Sequence, residues 1–160
     1  MNSLCVNCCC LLLFCCCTLW GENRSGSSRQ DAVDYVNKAV DFAKKHGNDS
    51  LFTAINKAND EFLQDGVYVF VYDTNGTIIA HPVNSKIVGK NLLHIPDIDG
   101  KFFRREIVEK AIKQDTAWVT YKYKNPDNGY IENKTTYIRR VGGIIIACGI
   151  YLESYGASSK

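Results

Sequence analysis

The sequence has little of what most enzymes and nucleic-acid-binding proteins require. Its 19 basic and 17 acidic residues nearly balance, and no basic stripe with interleaved aromatic residues occurs, so nucleic acid is not an expected partner. No G-x-S-x-G, P-loop, H-E-x-x-H or C-x-x-C motif follows the apolar head, and the three histidines are far apart. We therefore expect no catalytic residues, no cofactor and no metal ion.

Cysteine is nearly absent from the body of the chain, because seven of its eight residues lie within the first 17 positions. Only Cys148 comes later, so no disulfide framework is expected. The run from Leu4 to Trp20 is apolar and uncharged, and a polar Gly/Ser/Arg stretch follows it. Such a head indicates a secretion signal, a short membrane anchor or a bacterial lipoprotein signal acylated at Cys15, Cys16 or Cys17.

The head predicts an extracytoplasmic protein, periplasmic or secreted, that contacts a membrane only through its N-terminus. The alternatives are a wrongly assigned start codon and a zinc knot, although zinc ligands are spaced within a folded loop rather than inside a Leu/Phe run. A chain of 160 residues with 46% hydrophobic content can bury one core. The expected organisation is a signal or anchor at 1–22, a linker at 23–30, one domain at 31–151 and a tail at 152–160.

The predicted domain begins with helices and continues with strands. Apolar residues at three- and four-residue spacing from Asp31 to His46 predict an amphipathic helix, and a second, shorter helix follows from Asn48. The period changes to two at residues 67–73. Asn75-Gly76 then predicts a hairpin, whose return strand stops at Pro82.

A long irregular segment at 83–101 separates this hairpin from a third helix and three more strands. Long ordered loops in compact domains are commonly functional. The last strand, 143–151, is apolar on both faces, which indicates a central position next to the hairpin. We expect an α+β fold with a PAS-like five-stranded antiparallel sheet, the long N-terminal helix on one face, and a pocket between the other face and the irregular segment.

The chain resembles the single Cache domain in pieces that occur in the family's order, VYVFVYDTNGTIIAHP, DGKFFRREIVEKA and KTTYIRRVGGIIIACGIY. Members of this family are extracytoplasmic sensor modules of bacterial chemoreceptors and histidine kinases. The resemblance runs from Asp31 to Tyr151 and implies a ligand of the acetate, propionate or pyruvate class. Because nine residues follow Tyr151, we expect a sensor domain without its own signalling output module.

A carboxylate pocket needs cationic or hydrogen-bond donors in place of water, and apolar walls for the tail of the ligand. Trp118 and Tyr121 have opposite strand parity, as do Lys134 and Tyr137, so without a bulge they cannot all face the pocket. We predict anion contacts from His81, Tyr121, Lys134 and Tyr137, and pocket walls from Tyr68, Phe70 and Trp118.

Each of these predictions has an alternative in ordinary structure. Aromatic residues at alternate strand positions are commonly plain core. The alternative for His81 is a hairpin cap bound to a loop carbonyl, and the alternative for Lys134 is a solvated charge on an edge strand. The competing function is a structural or protein-interaction domain of the cell envelope without a small ligand. Two protein partners are considered, a membrane-bound signalling protein and a second copy of the chain through the N-terminal helix.

Overall fold

The computed structural model of the protein describes residues 27–58 and 61–152. The predicted signal or anchor at 1–22, most of the linker and the tail beyond Leu152 lie outside these residues, so export stays a prediction. The described residues form helices α1 (Arg29–His46), α2 (Asn48–Asn56) and α3 (Phe103–Gln114). Their strands are β1 (Leu63–Gln64), β2 (Val67–Asp73), β3 (Ile78–Ala80), β4 (Thr116–Lys124), β5 (Ile131–Val141) and β6 (Ile144–Tyr151).

Helix α1 begins two residues before the predicted start, because Ser28 and Asp31 form a capping box. The Ser28 hydroxyl oxygen accepts a hydrogen bond from the backbone N–H of Asp31 at 3.2 Å, and the Asp31 carboxylate accepts one from the backbone N–H of Ser28 at 2.7 Å. This reciprocal pair satisfies N–H groups that have no partner inside the helix. The helix ends at Gly47, whose φ of 83° lies in the region that glycine adopts most easily. None of the described helices has the length and apolar character needed to cross a membrane.

The strands form one antiparallel sheet in the order β1-β2-β6-β5-β4, and β3 pairs with β2 on the same side as β1. The predicted neighbourhood of the hairpin and the last strand is therefore confirmed. Every residue of β6 from Ile144 to Ile150 is buried, which confirms its central position. The two-residue strand β1 makes six strands instead of the predicted five, and it is too short to produce a periodic pattern.

The sheet has two faces with different covers. We call the face under α1 and α2 the helix face; its buried residues include Val69, Val71, Ile146 and Cys148. We call the opposite face, which α3 and segment 83–101 cover, the pocket face. The predicted arrangement of one long helix on one face, with the third helix and the irregular segment on the other, is confirmed.

Candidate functional site

A small cavity lies on the pocket face, between the sheet and the start of α3. Its volume is about 10 Å³, close to the space that a single water molecule needs. Aromatic rings of β2 and β4 form most of its wall, and its polar side chains include those of His81, Arg104 and Lys134. Ile87 is the contribution of segment 83–101 to the lining. An organic ligand therefore requires side chains to move apart.

The structure brings five of the seven predicted site residues together at this cavity. They come from three strands and from the loop after the hairpin: Tyr68, Phe70, His81, Tyr121 and Lys134. All five are buried. The structure thus shows that these five residues line one cavity, whereas their contact with a ligand stays a prediction.

Trp118 and Tyr137 are the two predicted site residues that do not line the cavity. Strands β4 and β5 pair without a bulge from one end of β4 to the other, so parity alone decides which way each side chain points. Trp118 and Tyr137 are register partners that pack against the helix-face core, with their ring centroids 5.3 Å apart. The guanidinium of Arg29 lies 5.0 Å from the centre of the Trp118 ring. Their prediction as pocket wall and anion contact is therefore wrong.

Lys134 is a buried cation at the centre of the site. It is 1% exposed and belongs to β5, an interior strand, so the alternative of a solvated edge charge is wrong. Its Nζ lies 3.7 Å from the centroid of the Tyr68 ring and 4.8 Å from that of Tyr151. Across residues 27–58 and 61–152, no ion pair includes Lys134. Burial lowers the pKa of its ammonium from 10.5 to about 7, although the nearby Cys148 acts in the opposite direction.

Gly149 makes room for the Lys134 side chain. It stands in the middle of β6, opposite Tyr68 on one side and Thr136 on the other. A Cβ at this position would come closer to Lys134 Cε and to Thr136 Oγ1 than real Cβ atoms come to other atoms. The sequence contains the corresponding signal, because a glycine inside an apolar strand commonly marks a close approach by another group. Gly149 is not among the site residues predicted from the sequence.

Arg104 is a second buried cation at the cavity, and it is not among the site residues predicted from the sequence. It is 7% exposed, and its Nη1 donates a hydrogen bond to the carbonyl of Ile95 at 3.2 Å. The available signal was its spacing, since Arg104 precedes Ile107 by three residues and Val108 by four, which places a charge on the apolar stripe of α3. Arg104 thus connects the cavity to segment 83–101.

Two buried polar atoms at the cavity have no hydrogen-bond partner in the described part of the chain. They are the hydroxyl of Tyr68 and the Nε of Arg104. Buried polar atoms are nearly always paired in native structures, because an unpaired one costs about 1–3 kcal/mol. The pKa of the Tyr68 phenol is raised, first by burial and then by Tyr151, whose hydroxyl lies near it without forming a hydrogen bond of normal geometry. This hydroxyl therefore keeps its proton and can donate it to a hydrogen bond.

His81 is neutral and has a fixed orientation. Its Nδ1 accepts a hydrogen bond from the backbone N–H of Asn84 at 3.1 Å, so the neutral ring carries its proton on Nε2. Burial, and then the positive charges of Lys134 and Arg104, lower the pKa of the imidazole to about 3. The hairpin cap that we considered therefore exists, but its partner is a loop N–H and not a loop carbonyl. The ring also lines the cavity, so the two roles do not exclude each other.

Tyr121 is held in place by two neighbours. Its hydroxyl is hydrogen-bonded to Thr136 Oγ1 at 2.9 Å, and its ring stacks on Phe103 with the centroids 3.9 Å apart. The Asp97 carboxylate holds segment 83–101 nearby, because it accepts hydrogen bonds from the backbone N–H groups of Lys101 at 2.8 Å and Lys122 at 2.9 Å. Segment 83–101, which covers the pocket face, is therefore attached to the edge strand β4 through Asp97 and Lys122.

A family model described as Single Cache domain 2 matches residues 22–157. The chain belongs to this family. A solved structure described as the periplasmic sensor domain of a chemotaxis protein has the same fold, with a TM-score of 0.61 and 22% identity over 78% of this chain and 90% of that chain.

Two curated proteins are similar to part of the chain. The methyl-accepting chemotaxis protein McpP of Pseudomonas putida is 33% identical over 92 residues, which is 56% of this chain and 17% of that protein. The sensor histidine kinase MctS of Rhizobium johnstonii is 32% identical over 101 residues, which is 62% of this chain and 22% of that protein. The matched region therefore spans less than a quarter of either relative.

A solved structure described as the structural basis for carboxylic acid recognition by a Cache chemosensory domain has the same fold. It superimposes with a TM-score of 0.62 and 21% identity, over 78% of this chain and 88% of that one. At this identity the likeness supports the fold alone.

Proposed function

We propose that this protein is an extracytoplasmic sensor domain that binds a small carboxylate of the acetate, propionate or pyruvate class in the cavity of the pocket face. The observation that carries the proposal is a set of unmet donors at one cavity. Lys134 is buried without an acidic partner among the described residues. In that part of the chain the Arg104 Nε is buried without an acceptor, and the Tyr68 hydroxyl has the hydroxyl of Tyr151 near it but makes no hydrogen bond of normal geometry. One carboxylate has two oxygens with which to accept these donors.

The expected energetics favour an anion over a neutral ligand. A hydrogen bond that involves a charged group contributes about 1.5–3 kcal/mol, and burial away from water strengthens it further. The cavity offers two cations, Lys134 and Arg104, and the neutral His81 can donate from Nε2. A neutral ligand would leave the buried cations without a counter-charge, which is costly in an apolar environment.

The size and walls of the cavity favour the shortest acids. A volume of about 10 Å³ must grow to admit any organic molecule, and each added methylene requires further displacement of Phe70, Tyr72 or Phe103, which are packed side chains. The similar chemosensory domain is described as recognising carboxylic acids, which supports the same ligand class for this chain.

The proposal extends to location and partners. Sensor domains of this family belong to membrane receptors, so we place this domain outside the cytoplasm, with a signalling partner in the membrane and a second copy of the chain contacted through α1. The domain carries out no catalysis in this proposal. Its ligand acts by occupying the cavity and by engaging Arg104, which holds segment 83–101 through Ile95.

Calorimetric titration with acetate, propionate, pyruvate and lactate tests the proposal. At least one of these acids should bind, and Lys134→Met should weaken its binding by about tenfold to a hundredfold, since one charge-assisted contact is lost. Lys122→Met is the matched control, because Lys122 lies on neighbouring β4 with the opposite parity and should leave affinity unchanged. A folded protein that binds none of the four acids would favour the structural or interaction role.

A further inference from the structure

Lys134 needs a counter-charge that the described protein does not provide. Four aromatic rings surround its Nζ, those of Tyr68, Phe70, Tyr123 and Tyr151, at 3.7 to 5.6 Å from their centroids. Such contacts with a cation offset part of the cost of removing it from water. They do not replace a carboxylate, and so the buried amine gives up its proton more readily than an exposed lysine does.

The other polar groups that face Lys134 cannot act as its counter-ion near neutral pH. The Cys148 thiol lies near Lys134 but on the helix face of β6, and burial raises its pKa to about 12, so the thiol is uncharged. Burial also raises the pKa values of the phenols on β2, β4 and β6 that face the site, those of Tyr68, Tyr72, Tyr121 and Tyr151. Tyr123 faces it from β4, Arg104 from α3 adds a positive charge, and His81 in the loop is neutral.

We propose that binding of a carboxylate in this cavity takes up one proton from solution onto Nζ of Lys134, so that affinity rises as the pH falls through neutrality. This inference rests on the proposed function. The step balances simply: the amine lone pair accepts a proton supplied by the buffer, the carboxylate stays ionised, and no covalent bond of the ligand breaks. The anion and the proton enter the cavity together, and each favours the other by thermodynamic linkage.

The expected size of the effect follows from the pKa of the free amine, about 7. Above that pH most of the free protein has a neutral Lys134, and each further pH unit should weaken binding by up to about tenfold. Below about pH 6 the amine is already protonated and affinity should become nearly constant. Titration of His81 would not produce this pH dependence, because an imidazole with a pKa of about 3 stays neutral from pH 6 to 8.5 and leaves the affinity unchanged over that range.

Titration calorimetry of the protein with acetate, propionate or pyruvate, in buffers that differ in ionisation enthalpy, counts the protons taken up for each ligand bound. We expect close to one proton at pH 8 and a small fraction of one at pH 6. Measurable binding without proton uptake at pH 8 would overturn this inference and leave the proposed function standing. Absence of binding to every acid would overturn the proposed function, and this inference with it.

Two variants identify the group that takes the proton. Lys134→Arg keeps a cation that does not titrate in this range, so uptake should disappear, and Lys134→Met should show the same loss at higher ligand concentrations if the arginine does not fit. His81→Asn removes the other titratable base, and its proton uptake for each ligand bound should equal that of the original protein. Proton uptake that persists in the Lys134 variants would place the proton on the ligand or on the imidazole. Proton uptake that is lost in His81→Asn would place it on the imidazole. Either result would overturn the inference.

Discussion

The helix face and the pocket face belong to the same six strands but have opposite chemistry. The buried residues of the helix face form an apolar core with α1 and α2, in which Val36, Val40 and Ile146 are fully buried. The pocket face also buries aromatic and aliphatic residues, but the charged side chains of Arg104 and Lys134 lie among them. One face is an apolar core, and the other buries two basic side chains that have no acidic partner among the described residues.

Strand β2 contains this difference in its sequence, VYVFVY. All six residues are buried, and because side chains alternate along a strand, valines and aromatic residues go to different faces. The helix face receives Val67, Val69 and Val71, and the pocket face receives Tyr68, Phe70 and Tyr72. Because β2 is covered on both sides, its alternating sequence sends the valines to the apolar core and the aromatic residues to the cavity.

Truncation of the helix-face core should have the largest effect on stability and none on recognition. Ile146→Ala removes a fully buried side chain under α1, and substitutions of this kind cost about 2–5 kcal/mol. Chemical denaturation should show this loss, while calorimetry at a temperature where the variant is folded should give unchanged affinity for the acid. A clear change in affinity would mean that the two faces are not independent.

Replacement of the buried cation should have the opposite effect on stability. Lys134→Met keeps a long side chain and removes the charge. Replacement of buried ion pairs by apolar residues stabilises proteins by on the order of 1–4 kcal/mol, and removal of an unpaired buried charge should also be stabilising. The pKa of Lys134 is lower in the folded state than the ordinary 10.5, so between about pH 7 and 10.5 the unfolded chain binds more protons. The original protein should therefore be less stable than Lys134→Met by the largest amount below pH 7, and this difference in the free energy of unfolding should shrink as the pH rises towards 10.5.

Denaturation curves of both proteins from pH 6 to pH 9.5, without ligand, measure this difference. Val69→Ala on the helix face serves as a control, because its effect on stability should not depend on pH. A Lys134→Met variant that is less stable than the original at every pH would mean that the aromatic rings stabilise the ammonium by more than its burial costs.

Addition of a single methyl group at Gly149 should affect both stability and recognition. The new Cβ would collide with Lys134 and Thr136, and overpacking of this kind costs about 1–3 kcal/mol. The lysine must move away from the Tyr68 ring, so affinity for the acid should fall as well. Gly143→Ala is the matched control, since nothing lies within 4 Å of a Cβ there. Equal behaviour of the two alanine variants would contradict the packing role of Gly149.

The fold was largely predictable because its signals are local. The alternation in β2, the Asn75-Gly76 turn and the doubly apolar β6 each determine a strand or its position without knowledge of the rest. The site was predictable only in part, because it depends on which strands are neighbours. Strand parity predicts that Trp118 and Tyr121 point to opposite faces unless a bulge intervenes. Only the continuous pairing of β4 with β5 shows that no bulge is present.

The residues that the prediction missed are those whose role depends on distant partners. Arg104 is one of several charged residues in an amphipathic helix, and its spacing from Ile107 and Val108 places it on the apolar stripe, but only the structure shows that this side of α3 covers the cavity. Gly149 reads as an interruption of an apolar strand until the lysine that crosses it is placed. Lys134, by contrast, is one of the predicted anion contacts, and its position at the cavity agrees with that prediction.

The smallest expected effect compares two tyrosines on neighbouring strands and opposite faces. Tyr121→Phe removes a hydroxyl at the cavity and keeps the ring that stacks on Phe103, so affinity for the acid should fall by a few fold, in line with about 0.5–1.5 kcal/mol for one neutral hydrogen bond. Tyr137→Phe removes the same atom from the helix face, where the ring packs against Trp118. Its affinity should match that of the original protein within twofold. Calorimetry on both variants, with thermal melts to verify folding, decides the matter: if the Tyr137 variant loses as much affinity as the Tyr121 variant, the ligand does not bind on the pocket face alone.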